Sequence, residues 1–238
     1  MFKFKSVNNL TFSILCILLT LLQYSCRTNN HSKRITIASS GKIDSLDPAR
    51  ANTLKSLQLI SALGDTLYEL DNYGELIPKL ASKMPVISKD KLKISITLKD
   101  NVIFHDGTPF DSKAMKFTIE RFQRIGTNNY ILDKKIKSIK TPNKNTLIIN
   151  LNRPTSSIEG LLTSVNLTAI SPSFYKNHID KYLNNDFVGT GEYILKSFSN
   201  EVQILDPNLN YWDLKPKNQG INFVGYSNSS SLYGALKS

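Results

Sequence analysis

The 238-residue chain is 40% hydrophobic and 21% charged, enough apolar content for one large domain or two small ones and too much for a disordered tail. Its formal charge of +11 raises nucleic acid or an anionic membrane surface as partners. The lysines are scattered through strand and helix patterns, the longest cluster is Lys134-Lys135-Ile136-Lys137, and no arginine-rich arm accompanies them, so nucleic-acid binding is set aside.

In chain order, Lys3 and Lys5 precede an apolar stretch from Leu10 to Leu22, about thirteen residues, which suits a signal-peptide core and is short for a membrane span. Residues 1–26 are therefore assigned to export. Cys26 follows Leu22-Gln23-Tyr24-Ser25, which resembles a bacterial lipoprotein processing site, a small residue before the cysteine and polar residues after it. The leucine lies one position too far upstream, and acylation of Cys26, ordinary cleavage and an uncleaved anchor all stay open. The other cysteine, Cys16, would leave with the signal, so no disulfide framework or metal-ligand cluster is expected.

Beyond Ser32, Arg34 to Ala38 reads as a strand and Gly41 to Asn52 as a polar connection. Leu54 to Leu67 predicts a helix with Leu57, Ile60, Leu63 and Leu67 on one face. Pro85 to Leu98 reads as β-structure, where Leu92, Ile94, Ile96 and Leu98 alternate with Lys93, Ser95, Thr97 and Lys99, giving one buried and one wet face. In Val102 to Phe122, Asp106-Gly107 marks a tight turn and Asp111 an N-cap, before a helix carrying Ala114, Phe117, Thr118, Phe122 and Ile125. Ile136 to Lys140 and Thr146 to Leu151 form a hairpin about a Pro142-Asn145 turn. Short helices follow at Ser157 to Val165 and Pro172 to Tyr182, then strands at Tyr193 to Phe198, Val202 to Leu205 and Ile221 to Tyr226. This mixture predicts an α/β protein built on more than one sheet.

The phrase FHDGTPF resembles the motif of the family 5 extracellular solute-binding proteins, the peptide- and nickel-binding receptors of ABC importers. Four further segments match in order: Ser45-Leu46-Asp47-Pro48, Leu67-Tyr68-Glu69-Leu70 leading to Leu80-Ala81, Val188 to Tyr193, and Asn208 to Trp212. The resemblance implies a periplasmic-binding-protein-like type II fold (cluster C), of which this chain would hold the first lobe plus accessory domain only. Residues 32–53 would open the first lobe, 54–166 form the accessory domain, and 167–238 return to the first lobe, ending in a stretch that resembles the approach to a second lobe.

The same resemblance implies ligand contacts at Ala51, Asn52, Thr53 and Leu54, after the Leu-Asp-Pro motif, and at Tyr130 in the accessory loop. It implies a non-enzymatic, cofactor-free binder of a small peptide. Such a receptor works by cleft closure with ABC permease subunits as partners, outside the cytoplasmic membrane or in the periplasm, and is membrane-tethered if Cys26 is acylated. Three alternatives stay open: a basic protein of the membrane surface, the weakest of them; a one-lobed remnant that binds nothing tightly; and an exported hydrolase. For the latter, His105-Asp106 is the sole imaginable general-base pair, but neighbours on an extended strand point to opposite faces, and the pair reads as a turn. Gly189-Thr190-Gly191 lacks the third glycine and following helix of a dinucleotide cradle and reads as a tight bend. Tyr211 and Trp212 read as core rather than as ligand-stacking rings.

Overall fold

The computed structural model describes residues 34–155 and 158–237; the signal segment, Cys26 and the start of the helix expected at Ser157 lie outside them. Two sheets and a small hairpin organise these residues. The first sheet runs β1-β10-β9-β8, from β1 (Ile35–Ser40), β8 (Tyr193–Phe198), β9 (Val202–Pro207) and β10 (Ile221–Tyr226). Strand β1 lies parallel to β10, with Ile35 opposite Ile221 and Ser40 opposite Tyr226, while β8, β9 and β10 pair antiparallel. Parallel pairing demands a long crossover, and here nearly the whole chain forms it.

The second sheet, β4-β5-β7-β6, is wholly antiparallel: β4 (Val86–Ile87), β5 (Lys93–Thr97), β6 (Ile136–Asn143) and β7 (Thr146–Leu151). The alternation read between Leu92 and Leu98 holds, with Ile94, Ile96 and Leu98 buried beside Leu147, Ile149 and Leu151. Each such side chain contributes about 1.5–3 kcal/mol by leaving water. Strand β6 extends through Pro142 and Asn143, so the turn is tighter than the expected Pro142-Asn145 loop. Strands β2 (Tyr68–Leu70) and β3 (Leu76–Pro78) form the small hairpin.

Helix α1 (Leu54–Leu63) is four residues shorter than predicted. It stops at Gly64 because the chain there runs backbone against backbone, the Gly191 N–H donating to the Leu63 carbonyl at 3.0 Å. Leu67 is instead buried in extended chain ahead of β2. Helix α2 (Ser112–Ile125) begins as read: the Asp111 carboxylate accepts from the Ala114 N–H at 2.9 Å. Its Ala114, Met115, Ile119 and Phe122 are buried in the core that also holds the inner face of the second sheet. The later helices are single turns, α3 (Ile158–Leu161) and α4 (Pro172–Tyr175), where the reading expected two or three turns. A last helix, α5 (Ser229–Lys237), follows β10.

A second core joins Leu59, Ile60 and Leu63 of α1 to Leu46, Ala51, Tyr175, Tyr193, Leu205 and Phe223. Helix α1 therefore packs with the β1-β10-β9-β8 sheet, although the sequence division had put it at the head of the accessory segment.

The Gly189-Thr190-Gly191 bend is the seam. A Cβ on Gly191 would lie 2.3 Å from the Leu63 carbonyl carbon, closer than any real contact. Gly191→Ala should accordingly cost about 3 kcal/mol or more by overpacking against backbone. Gly74→Ala, at φ +80 with open space around it, should cost only about 1 kcal/mol. Urea unfolding of both variants checks this, and equal costs would refute the close approach.

Candidate functional site

The Leu46-Asp47-Pro48 turn is anchored by a buried ion pair. Arg121 Nη1 and Nη2 donate to the two carboxylate oxygens of Asp47 at 2.9 and 2.6 Å, with both side chains essentially inaccessible. The carboxylate also accepts from the N–H groups of Ala49 and Leu183, at 3.0 and 2.9 Å, while Arg121 Nη2 donates to the Lys181 carbonyl at 2.8 Å. The guanidinium lies 5.0 Å from the centre of the Tyr175 ring. Burial and the Asp47 charge push the Tyr175 phenol far above its ordinary pKa. One bidentate pair thus pins the loop before α1, the middle of α2 and the segment after α4.

From that anchor the chain reaches the residues singled out for ligand contact. Ala51 is buried, its N–H donating to the Asp47 carbonyl and its carbonyl accepting from Asn166 Nδ2. Its side chain serves packing, and a ligand could meet only its surroundings. Thr53 caps α1, its hydroxyl accepting from the Ser56 N–H at 3.3 Å. Asp44 braces the turn, accepting from the Asn52 N–H at 2.9 Å, the Ser56 hydroxyl at 2.6 Å and the Thr53 hydroxyl at 3.0 Å. Those donated bonds outweigh burial and hold its carboxyl below the usual range.

Leu54 is 73% and Tyr130 70% exposed. The structure brings their two loops together: Asn128 Nδ2 donates to Asn52 Oδ1 at 2.7 Å, and the Thr127 N–H donates to the Ala49 carbonyl at 2.8 Å. Beside them Lys55 is buried, which lowers its ammonium pKa. A Cβ on Gly225 would come within 2.6 Å of its Nζ. The sequence reading missed Lys55; its signal was a cation next to an N-cap whose neighbours Leu59 and Ile60 face the core.

At the other end of α1 a 560 Å³ cleft is lined by Asp65, Glu69, Lys79, Glu192, Tyr211 and Asp213, among others. Asp65 accepts from Thr190 Oγ1 at 2.9 Å, Tyr211 Oη at 3.0 Å and Trp212 Nε1 at 3.1 Å. Burial nevertheless raises its pKa, against the Lys79 charge and these three bonds. Burial also raises Glu192, reinforced by the Asp65 and Asp213 charges and opposed by Lys79. Lys79 Nζ stands 3.8–3.9 Å from Asp65, Glu69 and Asp213. Tyr211 and Trp212 are thus structural partners of Asp65, as the core reading held.

Among the described residues His105 is hydrogen-bonded to no hydroxyl or thiol. His105 Nε2 meets the Gly191 carbonyl at 3.1 Å, and its Nδ1 is buried without a partner. Asp106 closes its own turn on the Thr108 N–H, with Gly107 at φ +79, and accepts from the Ser171 hydroxyl at 2.5 Å. The turn reading of His105-Asp106 therefore agrees with the geometry.

A lobe with a mixed sheet whose parallel strand pair spans an inserted antiparallel layer is the architecture of the type II periplasmic binding proteins. Solved structures share it: OppA of Listeria monocytogenes bound to peptide has a TM-score of 0.77 at 24% identity, covering 87% of this chain and 45% of that one. DppA of Helicobacter pylori in complex with peptide STSA gives 0.76 at 25% identity, covering 85% and 44%. The profile of the bacterial extracellular solute-binding proteins, family 5 Middle, matches residues 75–238, and the chain belongs to that family. It is 31% identical over 152 residues to the "Probable D,D-dipeptide-binding periplasmic protein DdpA" of Escherichia coli (strain K12), a match covering 61% of this chain and 30% of that protein. The chain spans about a third of the length of the curated relatives it matches.

Two outcomes test these assignments. Arg121→Met, which strands the buried Asp47 charge, should cost about 3–5 kcal/mol, and adding Asp47→Leu should recover part of it; equilibrium unfolding of the single and double variants would show no recovery if the pair were not coupled. Because the folded-state pKa of Asp65 is raised, its contribution to stability is fully present below its unfolded pKa and lost as pH rises through the folded value. The stability of the wild type relative to Asp65→Asn should therefore be greatest near about pH 3 and fall toward about pH 7. Urea unfolding across that range measures it, and the opposite trend would mean that the native site favours the ionised carboxylate.

Proposed function

We propose that this chain forms the peptide-facing lobe of an exported solute-binding protein of an ABC importer. Oligopeptide would lie against Asn52, Thr53 and Leu54 and under Tyr130, and closure would hand it to membrane permease subunits. The observation that carries the reading is the Asn128–Asn52 bond, which sets an exposed leucine and an exposed tyrosine on one braced rim. Extended peptides are held largely through backbone groups with alternate side chains in shallow pockets, and a rigid rim with two apolar contacts suits that mode.

The family and the names of its relatives support a peptide ligand and binding without turnover. Export follows from the Lys3, Lys5 and Leu10–Leu22 pattern, with acylation at Cys26 as the tether. On this reading the accessory domain starts after Leu63 rather than at Leu54, since α1 packs in the core of the β1-β10-β9-β8 sheet.

Titration calorimetry of the full chain with a tri- and tetrapeptide panel tests the proposal. Saturable binding is expected, weakened about tenfold or more by Asn52→Ala with Tyr130→Ala, with the thermal midpoint unchanged. No saturable binding would favour the one-lobed remnant. Peptide hydrolysis abolished by His105→Ala would favour the hydrolase.

A further inference from the structure

The positive charge is not spread evenly over the fold, although along the sequence the lysines look scattered. Residues 84–155 hold 14 Lys and Arg against 6 Asp and Glu, whereas residues 34–83 and 158–237 together hold 12 against 13. Within the described residues the net charge therefore resides in residues 84–155, the stretch that contains the second sheet and α2. The rest is nearly neutral.

Sheet geometry concentrates that excess on one face. Since β5 and β7 bury alternate residues and β6 buries Ile139 against Ile149, the intervening ones share the outer face: Lys93 stands opposite Asn150 and Lys140 opposite Ile148. Ser138 is on this face too, accepting from Asn150 Nδ2 at 3.0 Å. A register shift between Ile136 and Ser138 inserts one extra residue, Lys137. Lys93, Lys137 and Lys140 line one concavity of about 460 Å³ with Ser138 and Asn150. Lys89 and Lys91, in the β4–β5 turn, line the neighbouring concavity. Asp90 is the one carboxylate lining the first concavity, engaged by the Ser88 hydroxyl at 2.5 Å and the Leu92 N–H at 3.1 Å, and Glu159 is the one lining the second. Among the described residues, Lys93, Lys137 and Lys140 make no ion pair within 4 Å, whereas Lys79, Lys116 and Lys196 do.

Three ammonium groups against one carboxylate, Asp90, on a polar, concave sheet face leave a net positive potential that suits an anion-bearing surface. No aromatic ring lines the concavity, which disfavours single-stranded nucleic acid, where bases stack on exposed rings. The chain also carries the membrane-directed stretch Leu10–Leu22 ahead of the fold, and Arg34 lies only eight positions after Cys26, an extended reach of roughly 28 Å at most. A lipid surface is thus the anionic partner that the chain meets first.

We propose that the outer face of the β4-β5-β7-β6 sheet, centred on Lys93, Lys137 and Lys140, docks on the anionic phospholipid surface of the membrane. Headgroup phosphates accept from the three ammonium groups, and the peptide-facing rim takes no part. The proposal rests on the export reading of Leu10–Leu22 and Cys26, and not on peptide binding.

Vesicle co-sedimentation of the full chain tests it, comparing phosphatidylglycerol-rich with phosphatidylcholine vesicles at low and high salt. Replacing Lys93, Lys137 and Lys140 together by Gln should weaken binding to the anionic vesicles on the order of a hundredfold at low salt, each lysine near a charged surface being worth about a factor of five. High salt should abolish the difference from wild type. The same three positions as Arg should bind like wild type. A charge-matched control with Gln at Lys42, Lys215 and Lys217 should lose little. Equal loss in the two Gln variants, or none in the first, would overturn the proposal. So would tighter binding of a single-stranded oligonucleotide than of vesicles, lost in the same variant.

Discussion

Two charges buried together are costly, since each gives up several kcal/mol of hydration even after relaxation. The Asp47–Arg121 pair offsets that cost with geometry rather than with charge alone: a bidentate guanidinium bond, two backbone N–H groups on the carboxylate and a backbone carbonyl on the guanidinium. The consequence for the fold is positional. Asp47 and Arg121 are 74 residues apart, and Leu183, which donates to Asp47, is 136 residues from it. Ala49, just after Asp47, packs in the core of the accessory sheet, and Ala51, just after that, in the core of the β1-β10-β9-β8 sheet. The turn held by the ion pair is therefore where the chain passes from one core to the other. The rim formed by Asn52, Asn128 and Tyr130 takes its position from that passage.

Much of this architecture was legible because it obeys local periodicity. Alternation between Leu92 and Leu98, the Asp106-Gly107 turn and the Asp111 cap are decided by residues adjacent in sequence, and the structure keeps all three. The shortened α1 was not legible, because Gly191 stops it, far away in the chain, by approaching the Leu63 carbonyl. Nor was the burial of Arg121. A signal existed there: Thr118, Arg121 and Ile125 follow helical spacing, so a cation sat on the stripe otherwise given over to the core. A charged residue in such a position requires a buried counter-charge, and the Leu-Asp-Pro turn supplied it.

The candidate sites divide in the same way. Family resemblance placed Asn52, Leu54 and Tyr130 on the rim, while the bond that joins their loops is made by Asn128, whose amide has no sequence signature. The Asp65 cleft was legible only in part: Tyr211 and Trp212 read as core, but the acid that receives both their polar hydrogens lies 146 and 147 residues away. Asp65 is held by three donors and still has its ionised form disfavoured, because hydrogen bonds and one lysine near 4 Å do not replace the water lost.

Rim and sheet face solve different physical problems. Leu54 and Tyr130 keep large apolar area in water, and the bonds from Asp44 and Asn128 restrict the loops that carry them. That arrangement lowers the ordering cost of any contact made there. The outer sheet face keeps positive charge in excess, which suits long-range attraction that does not require a fitted pocket. Since α1 and the Asp47 turn lie in the core with the mixed sheet while the lysines lie on the far side of the inserted sheet, one face can be neutralised without disturbing the other. If both proposals hold, contact with a charged surface and capture of a solute are separable: salt screens the former, while the apolar part of the latter persists.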